Sequence, residues 1–185
     1  MKNHKKTTYA DDDCESTRTL FQLRGPALFA GLLLGIGISF ITSSFEEVLA
    51  SNVQVAFFLP FVVYIADAIG TQTETIYSRD LKSGRAKFIN YFHKELFLGL
   101  IFGGIFGVCS GIISFLWLRN PLLTASIALS TFCVVAVAPI LALCITHAFN
   151  SFHKDPAAVS GPITTVIQDM TSVIIYGIIC SVIIL

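Results

Sequence analysis

The chain has 185 residues, 54% of them hydrophobic and 13% charged, about half the ~25% charged share of a soluble domain. Twelve basic residues balance twelve acidic ones. This composition leaves no soluble domain of useful size, and no nucleic-acid partner is expected.

Residues 1–20 read as a polar cytoplasmic tail. Its "DDDCE", Asp11 to Glu15, is expected to be solvated rather than an ion site. The first 24 residues are polar, so no cleavable signal peptide is expected and the first span acts as an uncleaved anchor. That span is the uncharged run Gly25 to Phe45. Glu46 and Glu47 follow in an external loop or short interfacial helix.

The second run, Asn52 to Tyr77, is apolar to Ala66 and then turns polar through "DAIGTQTET". On helical spacing Asp67, Gly70 or Thr71, Glu74 and Ser78 share a face, with Gln72 and Thr75 on an adjacent strip. Gly70 would permit close approach of a helix or a hydrated ion. The third run, Leu96 to Leu118, carries Gly99, Gly103, Gly107 and Gly111 at four-residue intervals, with Gly104 beside them. They predict a ridge without side chains, against which another helix packs closely. Trp117 is expected to anchor the outer end.

The fourth run, Leu122 to Thr146, contains Pro139, which predicts a bend. His147 and His153 beyond it read as interfacial residues rather than a metal pair. The last run, Ala157 to Leu185, holds one charge, Asp169. Asp169 lies twelve residues into the span, ~18 Å along a helix and near the midplane. Even low figures put such a residue at ~2.5 kcal/mol, so it faces a bundle, a water-filled path or a subunit interface. Thr165, Gln168, Ser172 and Tyr176 predict a polar face beside it. "SGP", Ser160 to Pro162, predicts a break that exposes backbone carbonyls. The five cysteines show no CxxC spacing and read as packing residues.

About 20 apolar residues cross a bilayer. The expected fold is therefore an all-α membrane protein in which residues 21–185 form five transmembrane helices. Eleven of the twelve Lys and Arg fall on one side, which places the N-terminus in the cytoplasm and Leu185 outside. The inventory of carboxylate, hydroxyl, amide and carbonyl oxygens suits hard divalent cations. No nucleophile paired with a base, phosphate loop or hydrolase spacing is present, so no enzyme and no cofactor are expected. Asp169 could instead lock the bundle structurally.

The stretch "DPAAVSGPITTVIQDMTSVIIYG", Asp155 to Gly177, resembles the last helix of the MgtE-type magnesium transporter family. "PFVVYIADAIGTQTETIYSRDL", Pro60 to Leu81, resembles that family's second helix. "KEL", Lys94 to Leu96, with the glycine-rich span after it resembles the third. The resemblance implies a multi-pass cell-membrane protein that forms a homodimer with a cation path between subunits, built mainly from helices two and five. It implies Mg²⁺ as the transported ion, with Mn²⁺, Ca²⁺ and Co²⁺ as alternatives. It maps the pore aspartate onto Asp169, backbone or hydroxyl ligands onto Gly161, Thr164 or Thr165, and helix-two lining onto Gly70, Thr71 and Gln72. Asp67 and Glu74 join the set as further carboxylates. The family's Gly-Gly-Asn-Ala-Gly is here Ala66 to Gly70, with Ala68 in place of the asparagine and an added Asp67. The large cytoplasmic sensor region that gates full-length bacterial members has no counterpart in this stretch, so that gating is not carried over. Two other readings stay open: an ion-coupled exporter or carrier, and a non-transporting membrane scaffold.

Overall fold

The structure, a computed structural model, describes residues 13–151 and 156–185, with side chains described for 13–149 and 161–185. His153 and residues 1–12, with Asp11 and Asp12 of the acidic stretch, lie outside the described residues. Six helices follow in order: α1 (Thr17–Ser43), α2 (Glu46–Ser51), α3 (Val53–Lys82), α4 (Phe88–Leu118), α5 (Pro121–Ser151) and α6 (Pro156–Ile184). Five are long and apolar enough to cross a membrane, as expected. The sixth, α2, is the short connector that holds Glu46 and Glu47.

Each of the five long helices runs past its apolar stretch at one end at least. The first begins at Thr17, capped by the Ser16 hydroxyl, which accepts from the Thr19 backbone N–H at 3.2 Å. This satisfies one of the donors a helix start leaves open. The helix thus starts inside the stretch read as a polar tail. Pro162 lies inside a continuous α6, so the expected break at "SGP" does not occur. Proline removes one N–H, and a membrane helix tolerates that loss where neighbours pack around it. Here α1 supplies the packing: Gly31 lies against Pro162 and Val166. Pro139 likewise sits inside an uninterrupted α5.

Packing follows the small residues. Lipid is as apolar as leucine, so close backbone contact and hydrogen bonds hold such helices together. The glycine ridge of α4 lies on α5, running antiparallel to it. A methyl group on Gly99 would stand 2.5 Å from the Ala136 carbonyl oxygen, one on Gly103 2.8 Å from that of Phe132, and one on Gly107 3.0 Å from that of Ala128. Gly104, one position off the ridge, meets nothing. Above the ridge, the Ser110 hydroxyl donates to Thr131 Oγ1 at 3.0 Å. On its other side α5 packs on both α3 and α6, through Val62, Ala66, Ile127, Val134, Ala138 and Tyr176. Trp117 is exposed near the end of α4 and stacks on Phe57, with ring centroids 6.2 Å apart.

The chain order gathers Arg18, Arg24, Arg79, Lys82, Arg85, Lys87 and Lys94 at one end of the bundle. Arg119 lies at the other end with Glu46 and Glu47.

Candidate cation site

The seam of α3 is the series Val55, Phe58, Val62, Ala66, Ile69, Thr73 and Tyr77, all buried at spacings of three and four. On α6 the matching series is Thr164, Gln168, Ser172, Tyr176 and Cys180, all buried at spacings of four. The two seams face each other with the helices antiparallel. Tyr176 donates its hydroxyl to the Val55 carbonyl at 2.6 Å, and further along Gln168 Nε2 donates to the Ala66 carbonyl at 3.3 Å.

This geometry fixes both aspartates. Asp67 follows Ala66, and Asp169 follows Gln168. One residue is a turn of about 100° on a helix. Because the helices run in opposite directions, both turns lead to the same side of the pair. Asp67 and Asp169 therefore line one open cleft of about 480 Å³, completed by Ile38 and Thr42 of α1 and by Tyr64 and Val173. Thr165, one turn before Asp169, brings its hydroxyl to the Asp67 carboxylate. The two carboxylates are close enough for the charge on Asp67 to act on Asp169. The Arg79–Asp80 pair, at 3.0 Å, lies twelve residues further along α3, ~18 Å from Asp67. Two carboxylates on one cleft, with a hydroxyl against one of them, suit a hard cation.

The other expected site residues divide. Thr71 is exposed and Glu74 half-buried. They continue the Asp67 side of α3, with Glu74 ~10 Å along. Gln72 is exposed but points about 140° away from Asp67 around the helix, so within one chain it does not join the cleft. Gly161 is half-buried with open space around it. Its carbonyl belongs to an unbroken helix rather than to an exposed turn. Gly70 is buried, and the Gln168 amide fills the space where a side chain would stand. That room serves a neighbouring side chain, not a hydrated ion. The expected polar face of α6 also splits. Thr165 opens onto the cleft side with Asp169, while Gln168, Ser172 and Tyr176 are buried in the seam.

One carboxylate escaped the sequence reading. Glu95 stands just before the uncharged third run, yet it is buried, and Thr73 Oγ1 donates to its Oε2 at 2.9 Å. Its signal was present: Glu95 extends the ridge of Gly99, Gly103, Gly107 and Gly111 by one step of four. Nearby, the Tyr77 hydroxyl and His147 Nδ1 share a hydrogen bond of 2.7 Å, and the Tyr91 ring meets Tyr77 edge-on. His147 thus has a side-chain partner near the end of its helix.

Five bilayer-length helices with carboxylates held between them define a multi-pass membrane protein. A family profile described as "MgtE: Divalent cation transporter" matches residues 59–179, the span that runs from α3 through α6. The chain belongs to this family. It is 30% identical over 152 residues to "Magnesium transporter MgtE" of Bacillus subtilis (strain 168), covering 80% of this chain and 33% of that protein. It is 29% identical over 156 residues to the protein of the same name from Enterococcus faecalis, covering 83% of this chain and 34% of that one. For that of Thermus thermophilus the identity is 28% over 158 residues, with 78% and 33% covered. The chain thus spans about a third of the length of these curated relatives.

Proposed function

We propose that this chain carries divalent cations, Mg²⁺ first, across the cell membrane along a path at a homodimer interface, with α3 and α6 lining it. One observation carries the reading: Asp67 and Asp169 line one open cleft on the same side of the α3–α6 pair, with the Thr165 hydroxyl against Asp67. Mg²⁺ gives up its water reluctantly, so a wide cleft with carboxylates suits a hydrated ion better than a tight cage would. A single chain leaves the cleft open. It also leaves Thr71, Gln72 and Thr75 exposed on a membrane helix, where a second copy related by a two-fold axis would cover polar surface and bring a second Asp169 to the path. In this reading Thr71, Gln72, Glu74 and the Gly161 carbonyl line the approaches to the site.

Basic residues at one end of the bundle support a cytoplasmic N-terminus and an external Leu185. Reconstitution in liposomes with a panel of divalent ions inside and out tests the proposal. Mg²⁺ flux that needs Asp169 supports it. Flux that follows a pH or Na⁺ gradient would point to an ion-coupled carrier instead. No flux, with a fixed partner co-purifying, would point to a scaffold.

A further inference from the structure

Four buried side-chain oxygens among the described residues have no hydrogen-bond partner: Asp67 Oδ1, Thr124 Oγ1, Thr164 Oγ1 and Gln168 Oε1. Two of the four, Thr164 and Gln168, sit on the α6 face that meets α3, and Asp67 sits one residue past the α3 seam, beside the Ala66 carbonyl that Gln168 holds. Native proteins leave few such groups, and each costs ~1–3 kcal/mol if nothing binds it. Two of these on the seam and a third at its edge therefore point to something that sits among them.

The placement of each follows from contacts already described. Gln168 is 2% exposed, and its Nε2 is committed to the Ala66 carbonyl. Turning the amide over would set two acceptors against each other, so Oε1 is the oxygen left over. The amide lies over Gly70, where any larger residue would displace it. Asp67 is three residues before Gly70, a spacing that puts neighbours on one helix side ~5–6 Å apart. Thr164 is fully buried and one turn before Gln168 on the same face. Asp67 as a whole is half-buried. Its Oδ1 is enclosed, while the residue as a whole lines the cleft.

We infer that Asp67 Oδ1, Thr164 Oγ1 and Gln168 Oε1 form an interior oxygen site within each chain that takes a small monovalent cation of the sodium class. Three oxygen atoms and no sulfur or imidazole select a hard ion. A single carboxylate balances a single positive charge, whereas a divalent ion there would leave a net charge buried in the bundle, which is costly. The site shares only Asp67 with the proposed path. Through that carboxylate, the occupant of the interior site changes how strongly the cleft holds its divalent ion. Thr164 and Gln168 have no part in the cleft itself, so the two readings can fail independently.

The test is thermal unfolding of the full chain in lipid nanodiscs, without divalent ions, titrated with NaCl at constant ionic strength against N-methylglucamine chloride. Thr164→Val keeps the shape and removes the oxygen. Thr164→Ser keeps the oxygen and removes the methyl group. Sodium should raise the unfolding midpoint saturably, by about 5 °C, in the wild type and in Thr164→Ser but not in Thr164→Val. If Thr164→Val fails to insert, Gln168→Met removes the second oxygen at similar volume and serves in its place. A midpoint indifferent to sodium in the wild type would mean that water alone fills the site. That result, or an equal rise in the oxygen-deleted variant, overturns the inference. Stabilisation by Mg²⁺ in the same assay, and its loss in Asp169→Asn, reports on the cleft separately.

Discussion

At the scale of single residues, the two cleft aspartates have different surroundings. Asp169 lies beside the buried seam of α6, and no Lys or Arg occurs between residues 156 and 185 to pair with it. Asp169→Asn keeps the size and removes the charge. Divalent flux into liposomes should fall at least tenfold, the loss of about 1.4 kcal/mol or more of cation binding, while the protein still inserts. Wild-type flux in that variant would remove Asp169 from the path. Asp67 is held by Thr165, and it adds negative charge at a position where the family pattern has glycine. Binding that is too tight slows release. Asp67→Asn should therefore weaken the apparent affinity for Mg²⁺ several-fold, or reorder the preference among metals, as read by equilibrium binding and flux across a metal panel. A lowered melting temperature with unchanged affinity and metal order would make Asp67 purely structural.

At the scale of helices, the α4–α5 contact depends on absent side chains. The space above Gly99 ends at a backbone carbonyl, which cannot swing away as a side-chain tip can. Gly99→Ala should thus force the helices apart and destabilise the protein by ~1–3 kcal/mol. Gly104, five residues on, has open space around it. Gly104→Ala should be neutral or raise stability by up to ~1 kcal/mol, because alanine favours helix over glycine. The pair makes an internal control: equal effects in an unfolding titration would show that the ridge does not govern packing. The α3–α6 contact depends on a different device. There polar side chains, Tyr176 and Gln168, donate to backbone carbonyls across the seam and set the register.

For the whole molecule, the open cleft and the polar exposed strip of α3 lead to the proposed dimer. Once the five native cysteines are replaced, Thr165→Cys or Asp169→Cys should crosslink one copy to another through a short bifunctional reagent. Trp117→Cys, on α4 away from the cleft, should not. A monomeric species in lipid that retains full flux would contradict the arrangement. The same set of single-cysteine variants, labelled from one side of a sealed vesicle, would also read the sidedness that the basic residues suggest.

Much of this protein was legible in the chain. Five long, largely apolar runs determine five spans, because lipid accepts little else. The glycines at every fourth position of α4 determine a packing face, because helical period is a property of the backbone and needs no partner to be read. Asp169 stood out for the same reason: a charge in an apolar run carries its cost wherever the run ends up. Tertiary structure decided what periodicity alone leaves open, namely which neighbour each face meets. Thr165 and Gln168 lie three residues apart on one helix, yet one reaches the Asp67 carboxylate and the other is clamped to Ala66. That division follows from the antiparallel setting of α3 against α6, two helices separated in the chain by α4 and α5. Gly70 looked like room for an ion and proved to be room for an amide. Glu95 looked like the edge of a span and proved to be buried against Thr73. A single helix fixes the direction in which a side chain points, but the distance to whatever it meets depends on long-range packing, and the local sequence does not encode that.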